Sequence, residues 1–177
     1  MLMKTFIEIL KKLNVLYTLK NDKVTIDGDL NLGYTLFKEL PKSLTFGKYL
    51  ILRDILIKEL PAGLTVSGDL NLRETQIKEL PDDLTVLGGL DLRSTQIKEL
   101  PEELTVVFGY LDLRGTQIKK LPEKLTVHGS LELYGTQIKE LPAGLTVDGR
   151  LDLRGTQIKE LPTGLTVGNL YMNVGIW

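Results

Sequence analysis

The chain repeats itself. Seven copies of a pattern close to L-T-V-x-G-x-L-x-L-R-x-T-Q-I-K-E-L-P-x-x run over 24–43, 44–63, 64–83, 84–103, 104–124, 125–144 and 145–164, and an eighth begins at Leu165. The period is twenty residues except in 104–124, where one extra residue falls around Val107-Phe108. All seven prolines, Pro41 through Pro162, hold one place in the pattern. Twenty residues cannot enclose a core alone. A repeat so short and faithful therefore predicts a solenoid, in which each coil buries its apolar side against the next.

Local patterning says how a coil is built. In Gly68-Asp69-Leu70-Asn71-Leu72-Arg73 the leucines alternate with polar residues, which predicts a short strand with one dry face. Stacked copies make a parallel sheet with strands about 4.8 Å apart. Ile77 and Leu80 add to the dry side, with Leu64 and Val66 returning behind them. Gly68 and its copies Gly28, Gly88, Gly109, Gly129 and Gly149 read as a bend that needs positive φ. The prolines fix φ and remove a donor, so the return path is expected to be extended and not helical.

The string Leu70-x-Leu72-x-x-Thr75-x-Ile77-x-x-Leu80-Pro81 resembles a leucine-rich repeat, and its Leu-Pro pair with the short period resembles the LPX subtype of bacterial effector proteins. The resemblance covers residues 24–172. It implies a β-rich solenoid, a leucine-rich-repeat-like array of 20-residue coils with a parallel sheet. Two departures stand out. Thr35, Thr75, Thr95, Thr116, Thr136 and Thr156, with Ile55 as the exception, replace the usual Asn; an inward Thr can still bond the turning backbone. Val66 takes over from the usual leading Leu, which frees "LTV" for a second short strand. A coil with two strands approaches the alternative, a parallel β-helix. Some effectors of the subtype carry a ubiquitin-ligase domain with a cysteine nucleophile. This chain has no cysteine, so that activity is not carried over.

Three units follow: an N-terminal cap at 1–23, the seven-coil array at 24–164, and a truncated eighth repeat or C-terminal cap at 165–177. In "KTFIEILKKL" the spacing of Phe6, Ile7, Leu10 and Leu13 predicts an amphipathic helix over 4–13, with Thr5 and Glu8 as a capping box. It serves as a short helical cap on the first coil. A membrane-surface helix is the alternative, with only two lysines in its favour. "LYTLKNDKVTI" reads as strand, turn at Asn21-Asp22, strand. At the other end Tyr171, Met172, Val174, Ile176 and Trp177 either fold over the last coil or leave a sheet edge open to self-association. No signal-peptide core and no membrane-spanning run is found, so a cytoplasmic protein, or one secreted without a cleavable signal, is expected.

The residues offer no unique reactive constellation. Without cysteine there are no disulfides, thiolate zinc sites or cysteine nucleophile. The single His128 stands at a variable bend position that holds Ser67 and Asp148 in other copies, and reads as a tolerated surface residue. Neither an enzyme nor a cofactor or metal is expected. Net charge is −1, which disfavours nucleic acid, and no membrane partner is expected. Arg53, Arg73, Arg93, Arg114 and Arg154 stack in one column, where like charges repel by about 0.9 kcal/mol in water. The neighbouring column of Asp91, Asp112, Glu132 and Asp152 offsets that repulsion. A binding surface should lie where the exposed strand face breaks the pattern: Tyr49, Ile51, Tyr110, Tyr134 and Arg150, with Asp112, Arg114 and Glu132 as a polar rim. Tyr and Arg dominate interface energetics. The expected function is therefore a non-enzymatic protein-binding module centred on Tyr110 and Tyr134. The resemblance suggests an effector or inhibitor of a host protein, from a bacterium or mobile element. The alternative is a self-assembling solenoid joined as a homo-oligomer through its C-terminal edge.

Overall fold

The computed structural model describes residues 2–104 and 106–173. The expected cap residues Val174, Ile176 and Trp177 lie outside them. The protein is a parallel β-solenoid of about seven coils at the twenty-residue spacing, preceded by one short helix, α1 (Leu2–Lys12). The helix starts at Leu2, so Thr5 lies within it and is not the expected N-cap. Its apolar face seals the first coil. Phe6 and Leu10 are fully buried, and the Phe6 ring meets Phe37 edge-on at 6.0 Å. Thr18–Lys20 then pairs antiparallel with Lys23–Ile26. The turn residues Asn21 and Asp22 have φ of 50° and 58°, the two left-handed residues of a type I′ hairpin.

From there every pairing is parallel. Each coil carries two short strands with a bend between them. The first holds the "LTV" residues, as in Leu44–Phe46 and Thr65–Val66; the second holds the first strand leucine and the residue after it, as in Leu50–Ile51 and Leu70–Asn71. In the last coils the two merge into Thr146–Asp152 and Thr166–Tyr171. The coil thus carries inward leucines beside two short parallel strands. Its third side, the T-Q-I-K-E-L-P stretch, forms neither helix nor strand. There one bond per step, such as Gln96 N–H to the Ile77 carbonyl at 3.1 Å, ties neighbouring coils.

The core is a column of aliphatic side chains from all three sides. Leu70, Leu72, Ile77, Leu64 and Val66 have no exposed surface, and their equivalents repeat along the axis. Each such burial contributes roughly 1.5–3 kcal/mol, and it exists only while the neighbouring coil is in place. The inward threonines work as anticipated. Thr75 Oγ1 donates to the Leu72 carbonyl at 2.7 Å, and Thr35, Thr95, Thr116, Thr136 and Thr156 repeat the bond at 2.6–2.8 Å. A side chain therefore closes the turn within its own coil in six of the seven full coils, Ile55 being the exception. The preceding turn position is left-handed throughout, with φ near +58° at Tyr34 and Glu74 and +71° at Gly115, Gly135 and Gly155.

Two expectations need correcting. The Gly68 column does not supply positive φ, which falls instead at Gly63, Gly115, Gly135, Gly144, Gly155 and Gly164. Its glycines are needed for close approach. A Cβ on Gly109 would lie 2.5 Å from the Gly89 nitrogen and 2.6 Å from the Gly88 carbonyl carbon. The N–H of each glycine donates to the same position one coil back: Gly88 to Gly68, Gly109 to Gly88 and Gly129 to Gly109, at 3.0–3.1 Å. Second, the extra residue of 104–124 is not at Val107-Phe108. Leu104 keeps the turn bond of Leu84, and Val107 pairs in register with Val127, so the insertion falls between Leu104 and Val107. Among the described residues one run of the first-strand ladder ends at Thr85–Val86 and another begins at Val106–Val107.

Candidate functional site

The outward positions of the second strand form the face on which binding residues were expected. The carboxylate column turns out to be structural. Asp91, Asp112, Glu132 and Asp152 are buried. Asp91, Asp112 and Asp152 each accept the backbone N–H two residues on, at 3.1–3.2 Å, which caps the turn after the strand. Each is also gripped from above by arginine. Arg93 holds Asp91 through Nε and a terminal nitrogen at 2.9 and 2.6 Å, Arg114 holds Asp112 likewise, and Arg154 holds Asp152. Arg93 also reaches Asp112 of the next coil at 3.3 Å, so the two columns interlock. The paired guanidinium holds the Asp152 carboxyl below its ordinary pKa, helped by the Arg154 backbone. Arg150 turns onto Glu132, with Nε 2.8 Å from its carboxylate. Asp112, Arg114, Glu132 and Arg150 thus have each other, and serve the fold before any partner.

The tyrosines divide. Tyr110 and Tyr134 do not form a pair, because they lean in opposite directions. Tyr110 lies back over Gly89 of the preceding coil, where an added Cβ would sit 2.3 Å from its ring. Burial there, with Asp69 and Asp91 nearby, pushes its pKa up to about 12. Tyr134 leans forward, 3.5 Å from where a Cβ on Gly155 would stand, and is exposed. Tyr49 is exposed and Ile51 half-buried. Because Ile51 replaces the carboxylate of its column, Arg53 has no strand carboxylate to grip as Arg93, Arg114 and Arg154 do. It lies instead over the Tyr34 ring at 4.8 Å, with Nε buried and unbonded.

A different cluster emerges at the bend between the two strands. There Leu87, Phe108, His128 and Asp148 follow one another, coil by coil. Leu87 is 48% and Phe108 57% exposed, the only large apolar residues at this position among the described coils. The Phe108 and His128 rings stack at 5.5 Å, and His128 Nδ1 is 2.7 Å from the Asp148 carboxylate. His128 is therefore a partnered member of a ridge. The ridge borders the interrupted ladder, where Leu84 and Leu104 are only partly covered although Leu64, Leu125 and Leu145 are fully buried. The sequence hides the ridge because an insertion around Val107-Phe108 removes Phe108 from the bend column. Placed in the bend column beside Leu87, it stands out as an aromatic where other coils have Ser, Asp or Gly.

On the third side, shallow grooves recur between coils, lined by the Lys-Glu-Leu-Pro residues, as at Lys58, Glu59, Leu80 and Pro81. They follow the repeat and distinguish no coil from its neighbours. Among the described residues no three metal-ligating side chains gather, and no helix is long and apolar enough to cross a membrane. No protein-family profile matches the chain and no curated protein matches its sequence, so its kinship is stated by architecture alone: a parallel β-solenoid repeat protein.

Proposed function

We propose that the chain is a non-enzymatic protein-binding module of leucine-rich-repeat type, an effector or inhibitor that engages a host protein through the ridge at Leu87, Phe108 and His128. The observation that carries this reading is the coincidence of the one coil of twenty-one residues with an exposed aromatic that adjoins the exposed Leu87 on the same bend. Exposed aromatics beside aliphatic and polar neighbours are the usual centre of an interface. Tyr110 follows Phe108 two positions further along its coil. The test places a photo-crosslinking residue at Phe108, and in a second protein at Lys78 on the opposite side. Crosslinks from 108 alone to one protein of the host support the reading; equal or reversed capture refutes it. Phe108→Ser should weaken binding of that protein by about 30-fold, the equivalent of a hot spot of about 2 kcal/mol.

A second reading, self-assembly through the C-terminal edge, has its own support. Among the described residues Thr166–Tyr171 pairs with a strand on one side only, and Leu165, Val167, Leu170 and Met172 are incompletely covered. Light scattering over a concentration series tests it; a mass that stays at one chain removes it.

A further inference from the structure

The N-terminal cap does more than its sealing role needs. Phe6 and Leu10 close the core, and Val15 and Tyr17 pack against it from the segment that follows. Yet Leu13, Leu16 and Leu19, within seven residues of each other, are 50%, 88% and 51% exposed. Leu16 stands between the two inward residues and points away from them. Lys11 and Lys12 end the helix just before this segment; Lys20 and Lys23 follow it in the hairpin, and all four are exposed. No lysine of the cap enters a salt bridge among the described residues. Residues 1–23 hold five of the chain's 22 basic residues and only Glu8 and Asp22 of its 23 acidic ones, so the cap is basic while the rest of the chain is net acidic.

We infer that this outer face of the cap docks on an anionic lipid surface. Exposed leucines gain by leaving water for the headgroup–acyl boundary, and lysines beside them gain from lipid phosphates and carboxylates. Either signal alone gives weak attachment; together they hold a peripheral protein. A protein partner for the same leucines would be expected to cover them more flatly, whereas Leu16 protrudes. The sequence favoured no membrane partner because only the two helix lysines were in view. The hairpin folds Lys20 and Lys23 back toward the same end of the solenoid. The array then stands off the lipid, with the ridge at Phe108 left free.

The experiment is co-sedimentation of the full chain with phosphatidylcholine vesicles, with and without roughly a third phosphatidylserine. Binding to the anionic vesicles should be about tenfold or more tighter than to the neutral ones, and should weaken as salt is raised. Two variants separate the contributions: Leu13→Ser/Leu16→Ser/Leu19→Ser, and Lys11→Gln/Lys12→Gln/Lys20→Gln. Each should lower vesicle binding about tenfold while leaving the circular dichroism spectrum unchanged, since neither touches Phe6 or Leu10. Equal binding to both vesicle types, or full binding by either variant, overturns the inference. So does a dimer without vesicles that the leucine variant abolishes, because the protrusion would then belong to a second copy of the chain.

Discussion

Gly109→Ala probes the glycine column most directly. A Cβ at 109 would stand 2.5 Å from a backbone nitrogen and 2.6 Å from a backbone carbon of the preceding coil. Neither atom can rotate away as a side chain would, so the coils must part. Overpacking of this kind costs about 1–3 kcal/mol. Parting also weakens two backbone bonds, Gly109 N–H to Gly88 O at 3.1 Å and Gly129 N–H to Gly109 O at 3.0 Å, each worth about 1 kcal/mol. A loss of about 3–5 kcal/mol follows. Gly135→Ala is the control: it has φ of +71° and nothing within 4 Å of an added Cβ, so only left-handed strain of about 1–2 kcal/mol is incurred. Urea unfolding followed by circular dichroism measures both. If Gly135→Ala costs as much as Gly109→Ala, or more, close approach is not what that column requires.

Tyr110, with its pKa pushed up to about 12, should be the last of the six tyrosines to ionise in a spectrophotometric titration, and Tyr110→Phe should remove that late step. Its folded pKa lies above the unfolded value of about 10. Its stabilising contribution is therefore complete below pH 10 and is lost as the pH rises toward 12. Asp152 has the opposite sign. Its depressed pKa contributes stability above the ordinary carboxylate value of about 3.9, lost as the pH falls through the folded pKa. Asp152→Asn should cost about 1–3 kcal/mol at neutral pH, and the gap to the parent should close in acid; a gap independent of pH would deny Asp152–Arg154 that role.

Much of the architecture was legible because the repeat states the same local instruction seven times. The alternation at Leu70-Asn71-Leu72, the inward Thr75, the Asn21-Asp22 turn and the Phe6 and Leu10 cap positions all hold. Legibility failed where a residue's role depends on the coil beneath it. Gly109 looks like any turn glycine until the neighbouring backbone is placed against it. Tyr110 looks outward until Gly89, the one glycine at its position in the array, is seen to leave room for the ring. Asp112 and Glu132 looked like a rim, but Arg114 and Arg150 use them internally. A sequence lists neighbours along the coil, whereas these choices are made between coils.

The threonine that closes the turn from within its own coil, in every full coil but that of Ile55, makes those coils interchangeable. No turn borrows its closing hydroxyl from a neighbour, and each backbone bond between coils is offered at the same positions by the next copy. Excising 125–144 would present Val107 and Leu111 to Val147 and Leu151, which match the partners removed. Array length can therefore change by whole coils without new chemistry. One joint is exempt. The Tyr110 ring occupies the room that Gly89 leaves, so 84–103 and 104–124 must be kept or lost together. The segment that carries Phe108 is the one part of the array that repeat expansion or loss cannot divide.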